Sequence, residues 1–397
     1  VARELFEELV RLRTVTVGRD HPQTLDSEAR LAEHHRRAGR LEFALPLLIE
    51  SYERRGRLLG PEHPDTVTSL NNLAIGYNDM RQFERATPLF EQVLKLQREV
   101  RGPEHPETLF AAGNLASNLI SIGRMEEGLP LLESVLQQQV ARLGIHHPDT
   151  LDTLNNFATA CWESGQLDRS IELFEDLYQR TSLVLGASHP GTLVAAANLG
   201  VNYSSAGRYE EALPLLQQAF EASRTLPGLV FVEPVYPECL VLSGQPEKAL
   251  QLLRERVTDA RTSLPAGSIE RANRLATLGY YLIVCGLGAN DEAESVLREA
   301  LAIQQKLEPG RTSTFNTQVL VGQTLLGQKD FPAAEPFLVE GVEGMLAGAA
   351  ELPIQHRGKL ADGLRLLVNL YTEWDKPEKT AEWKTKLGDS PSRDSAK

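Results

Sequence analysis

Apolar residues along this chain recur with the spacing of one face of a helix, and the helices come in pairs. Leu70, Leu73, Ala74 and Tyr77 stand at i, i+3, i+4 and i+7. After a break at 79–82, a second stripe runs through Phe83, Ala86, Phe90, Val93, Leu94 and Leu96. Gly102-Pro103 ends it, because glycine closes a helix by taking the left-handed conformation and proline prevents its resumption. His105-Pro106 restarts the pattern: proline suits the first helical position, and Glu107 complements the helix dipole.

This unit returns every 42 residues, at His21-Pro22, His63-Pro64, His105-Pro106, His147-Pro148 and His189-Pro190, each opening His-Pro-x-Thr-(Leu/Val). Gly39, Gly123, Gly165 and Gly207 keep the same step, with Arg81 in the remaining place, and so do Pro46, Pro88, Pro130 and Pro214, with Glu172 as the exception. Two columns of small residues mark where helices must approach closely. One is Ala32, Ala74, Ala116, Ala158 and Gly200; the other is Ala44, Ala86, Gly128, Ser170 and Ala212. Large apolar residues follow the second column four positions later: Leu48, Phe90, Leu132, Phe174 and Leu216. Units that bury their stripes only against neighbours predict an all-α solenoid of antiparallel helix pairs.

The small–small–large arrangement resembles the tetratricopeptide repeat (TPR), lengthened from its usual length of about 34 residues. Taken with Asn71-Asn72-Leu73-Ala74, Asn155-Asn156-Phe157-Ala158 and the His-Pro-x-Thr starts, the resemblance is to the kinesin light chain type. It implies a right-handed superhelical solenoid whose first helices line the inner surface. It also implies a non-enzymatic scaffold that binds a partner protein's peptide on its concave face.

The regular array spans 1–226. It starts in mid-repeat, since Val1 lies one period before Phe43, and the chain reads as a fragment of something longer. A degenerate repeat follows over 227–262, interrupted by Pro227, Pro234 and Pro237 and restored from Gln245. Divergent TPR-like repeats occupy 263–387, and a small, charged tail at 388–397 is expected to be disordered. Leu370–Pro377, followed by Ala381-Glu382-Trp383, resembles the closing segment of repeat regions attached to bacterial Ser/Thr protein kinases. That likeness implies an alternative: a regulatory, substrate-recruiting region whose catalytic domain lies upstream.

Charge and chemistry narrow the function. With 41 Lys+Arg against 54 Asp+Glu the net charge is −13, which disfavours binding to nucleic acid. The longest nearly apolar stretch, 278–289, is well short of the roughly 20 residues that cross a bilayer, so membrane insertion is not expected and a cytoplasmic location is. Cys161, Cys239 and Cys285 are far apart and form neither a disulfide framework nor a zinc motif. Five of the nine His residues are the repeat punctuation and are read as helix starts. His34-His35 are adjacent and so diverge on a helix, a poor arrangement for joint ligation compared with i, i+4. No Gly-rich phosphate loop, His-Arg-Asp or Asp-Phe-Gly is present. No catalytic residue, metal site or cofactor is expected in these residues.

The informative polar feature is a column of asparagines. Asn72, Asn114, Asn156 and Asn198 keep the 42-residue step, with Asn71 and Asn155 beside two of them and Arg30 in the first unit's place. An amide offers two donors and an acceptor, enough to hold the N–H and C=O of an extended peptide. The alternative reading is that each Asn bonds the neighbouring repeat and fixes the stacking. Ile75, Phe110, Val194 and Val201 flank the column as candidate pocket floors. No Lys or Arg ladder does, so a carboxylate clamp and a preference for acidic peptides are not expected. A neutral to apolar peptide fits better.

Overall fold

A computed structural model describes residues 2–286, 288–347 and 354–388. Among them are nineteen α-helices, one short 3-10 turn (Pro227–Leu229) and no strand. The chain divides into two compact units, Val1–Arg208 and Tyr209–Lys397.

In the first unit, α1 (Ala2–Thr16) is followed by α2 (Pro22–Arg37), α3 (Leu41–Leu59), α4 (Pro64–Asp79), α5 (Phe83–Arg101), α6 (Pro106–Ser121), α7 (Met125–Leu143), α8 (Pro148–Glu163), α9 (Leu167–Leu185) and α10 (Pro190–Ser205). Each helix packs on the next. The five His-Pro pairs open α2, α4, α6, α8 and α10, with proline at the first helical position as expected. Each imidazole is a cap. Nδ1 of His21, His63, His105, His147 and His189 accepts the backbone N–H two residues on, at 3.1–3.3 Å. One otherwise orphaned donor per helix is thereby satisfied. The threonine of the motif ties down the loop as well: Oγ1 of Thr24, Thr108 and Thr150 donates to the carbonyls of Gly18, Gly102 and Gly144 at 2.7, 2.8 and 2.9 Å.

One local expectation is corrected. Gly102 has φ 90° and ψ 161°, and Gly60, Gly144 and Gly186 match it closely. This is positive-φ extended backbone, not the left-handed helical turn, because the chain must run on straight to reach the next His-Pro. Only glycine enters that region readily. The tighter turn within each pair is left-handed at Gly39, Gly123, Gly165 and Gly207, and Arg81 adopts the same conformation at φ 56° despite its Cβ.

The packing columns are buried as the pattern predicts. Ala32, Ala74, Ala116 and Ala158 have no exposed surface, and Phe90, Leu132 and Phe174 are almost fully enclosed. A Cβ on Gly128 would stand 2.7 Å from Ile120 Cγ1 and 2.9 Å from the Ala116 carbonyl, so the close approach of α7 to α6 requires glycine.

In the second unit, α11 (Tyr209–Ala222) precedes α12 (Val232–Leu242), α13 (Pro246–Ser263), α14 (Ile269–Cys285), α15 (Asn290–Leu307), α16 (Thr312–Gly327), α17 (Phe331–Ala347), α18 (Ile354–Glu373) and α19 (Pro377–Gly388). α12, which contains Pro234 and Pro237, has only 11 residues. The packing rule persists: Gly322, Ala334 and Leu338 keep the spacing of Ala74, Ala86 and Phe90, and Ala334 and Leu338 are fully buried. Residues 389–397 of the expected tail lie outside the described residues. No helix among the described residues is long and apolar enough to cross a membrane.

Candidate peptide-binding face

The first helices α4, α6, α8 and α10 are not copies of one another. They alternate, and the asparagines show it. α4 and α8 each carry two adjacent Asn residues, Asn71-Asn72 and Asn155-Asn156. α6 and α10 instead carry Asn114 and Asn198, each with a further Asn one turn on, Asn118 and Asn202. The true period of this surface is therefore two repeats.

The alternation has a hydrogen-bonding reason. Asn114 Nδ2 donates to Asn71 Oδ1 at 3.2 Å, and Asn198 Nδ2 donates to Asn155 Oδ1 at 3.1 Å. Each such bond needs an Asn at the first of the paired positions in the preceding first helix. α6 has Gly113 there, so Asn156 meets no such partner, and Ala29 leaves Asn72 in the same state. Among the described residues the side chains of Asn72 and Asn156 make no hydrogen bond within the protein. Asn156 is exposed and Asn72 half-buried.

Asn118 and Asn202 were not singled out from the sequence, yet they are the most enclosed amides of the face. Asn118 donates from Nδ2 to Asn78 Oδ1 at 3.2 Å and accepts from Thr87 Oγ1 at 2.7 Å. Asn202 donates to the Asn198 carbonyl and accepts from Ser170 Oγ, both at 2.8 Å. Their signal, a polar residue recurring at every second unit, was present in the sequence, but a search at a single 42-residue step passes over it.

The candidate pocket floors differ among themselves. Phe110 is 58% exposed, an unusual state for a phenylalanine, while Ile75, Val194 and Val201 are half-buried. Asp152 occupies the position of Phe110 one unit later; burial pushes its carboxyl above the usual range, and the nearby Asp149 adds to the effect. The thiol of the fully buried Cys161 is likewise pushed up by burial. A depression lined by Glu42, Leu45, Pro46, Ile49, Glu50, Glu53, Arg57 and Met80 lies mainly on α3, with no asparagine in its lining.

No curated protein sequence matches the chain. Among solved structures, repeats of a Podosopora anserina protein assigned as a kinesin light chain are 30% identical over 52% of this chain and 98% of theirs, with a TM-score of 0.45. BtubC from P. vanneervenii is 20% identical over 56% of this chain and 88% of its own, with a TM-score of 0.46. The apo form of the quorum sensor NprR from B. thuringiensis is only 12% identical, but it aligns over 92% of this chain and 97% of its own with a TM-score of 0.56, a likeness of fold. The model of the tetratricopeptide repeat matches residues 25–99, 71–124, 108–181 and 163–225, together just over half of the 397 residues. The chain belongs to the tetratricopeptide repeat family, with kinesin light chain-like repeats among its structural neighbours.

Proposed function

We propose that residues 1–208 form a non-enzymatic scaffold that binds an extended, neutral to apolar peptide of a partner protein along α4, α6, α8 and α10. The observation that carries this reading is the division of labour among the asparagines. Asn114 and Asn198 are committed to the neighbouring repeat, whereas Asn72 and Asn156 keep their donors and acceptors for something outside the chain. An uncommitted amide can bond both polar groups of a peptide backbone. Phe110, largely exposed, supplies an apolar contact on the same set of helices. The recurring histidines use Nδ1 to cap their helices, which gives them a structural role.

The test begins with a peptide selected from a random library on the full chain. Neutral hydrogen bonds contribute roughly 0.5–1.5 kcal/mol each, so Asn72→Ala with Asn156→Ala should weaken that peptide about tenfold. The melting temperature should not change. Asn114→Ala with Asn198→Ala should instead lower the melting temperature, because it breaks both inter-repeat bonds. If folded Asn72/Asn156 and Phe110→Ala variants both bind as tightly as the parent, this face is not the binding site.

A further inference from the structure

A second surface, on the second helix α3, does not rest on the reading of the asparagines. It lies where the repeat breaks its own rule. The position of Ile49 holds Glu91, Glu133 and Glu175 in the next three repeats and Gln217 in the one after. Two of those carboxylates reach from one repeat to the next. Glu133 pairs with Arg169 at 2.7 Å. Glu175 accepts the Tyr203 hydroxyl at 2.7 Å and stands 3.8 Å from Arg208. In α3 the same position is apolar and makes no such bridge.

Here the chain has an open depression of about 620 Å³. Its floor is apolar: Leu45, Pro46 and Ile49 from α3, and Met80 from the turn after α4. Its rim is acidic, with Glu42, Glu50 and Glu53. Glu50 is engaged by Arg19 and Arg54. Glu42 and Glu53 are exposed and form no ion pair among the described residues. Arg57, one turn beyond Glu53, is the cation of the lining. The step from position 42 to position 53 is roughly 16 Å of helix, with the apolar floor between the two free carboxylates.

We propose that this depression docks a short segment of a partner protein in which basic residues flank an aliphatic stretch. The aliphatic side chains lie against Leu45, Ile49 and Met80, and a Lys or Arg at each end meets Glu42 and Glu53. Charge complementarity selects that occupant over an acidic one, because two uncommitted carboxylates outweigh the single arginine. The exception to the repeat is thus a place where a bridge between repeats has given way to a contact with another protein.

The test titrates the full chain with a fluorescent peptide, Lys-Ser-Leu-Ser-Leu-Ser-Lys, which when extended presents Lys, Leu, Leu and Lys on one face. Two controls replace its Lys by Glu or its Leu by Ser. The Lys/Leu peptide should bind best and weaken with added salt. Ile49→Gln, which copies Gln217, should weaken it about tenfold, and Glu42→Gln with Glu53→Gln several-fold. Ile49 also packs on buried Leu48 and its neighbours; should Ile49→Gln melt early, Glu53→Gln at its exposed site decides. A photoreactive Lys/Leu peptide should cross-link to α3 or to 79–82. The proposal is overturned if the Lys/Leu peptide does not bind, if the Glu peptide binds as well, or if Glu53→Gln has no effect. Cross-links elsewhere overturn it, and so does self-association that Ile49→Gln abolishes in sedimentation, which would make a second copy the occupant.

Discussion

The two units solve the same packing problem with different degrees of repetition. In residues 1–208, five first helices begin with the same histidine cap. In residues 209–397 the starts are improvised. Ser268 caps α14 through a bond from the Arg271 N–H, whereas Arg311 precedes α16 with no side-chain cap at all. Thr314 still donates to the Glu308 carbonyl at 2.7 Å, as Thr108 does to that of Gly102, so the loop outlives its histidine. The small–small–large core has not been relaxed in the same way. The difference teaches which feature is expendable: a lost cap costs about 1 kcal/mol, while a misfilled interior costs several.

The sharpest way to break that comparison is to overfill the core in both units. Ala158 is completely buried, and a Cβ on Gly322 would meet Leu338 Cγ at 2.6 Å. Ala158→Val and Gly322→Val should each cost about 3 kcal/mol or more, measured by chemical denaturation of the full chain. If Gly322→Val is tolerated while Ala158→Val is not, the core of the second unit is looser than its spacing implies.

Much of this was legible in the sequence, for a physical reason. A helix start needs a cap, a tight turn needs positive φ, and a close crossing needs a small residue, and each need leaves a mark at a fixed step. In the second unit α14 with α15 and α16 with α17 still come in pairs for the same reason. The face was harder to read. Whether Asn114 is a ligand contact or a staple depends on what stands in the preceding repeat, Asn71 in its case and Gly113 for Asn156. That is a relation between columns, invisible within one.

A smaller effect separates the two kinds of helix start. His105→Ala removes the acceptor 3.2 Å from the Glu107 N–H and should cost about 1 kcal/mol, leaving peptide binding unchanged. Ser268→Ala should cost no more, since its bond to the Arg271 N–H is longer, at 3.4 Å. Denaturation curves of the two variants give the difference directly. A loss at His105 of several kcal/mol would mean that the punctuation is as indispensable as the core.

The smallest expected effect is a gain. Arg81 holds φ 56° at the turn between α4 and α5, where the equivalent turns of the first unit use Gly39, Gly123, Gly165 and Gly207. A side chain in this left-handed region costs roughly 1–2 kcal/mol, which glycine would relieve. Glycine also widens the unfolded ensemble, offsetting about 0.4–1 kcal/mol of that relief. Arg81→Gly should therefore stabilise the chain by about half to 1 kcal/mol. A loss of stability instead would show that the Arg81 side chain contributes more than its backbone strain costs. In that case the substitution is not a blemish in the repeat, and the turn of this one pair is held by its side chain as well as by its backbone.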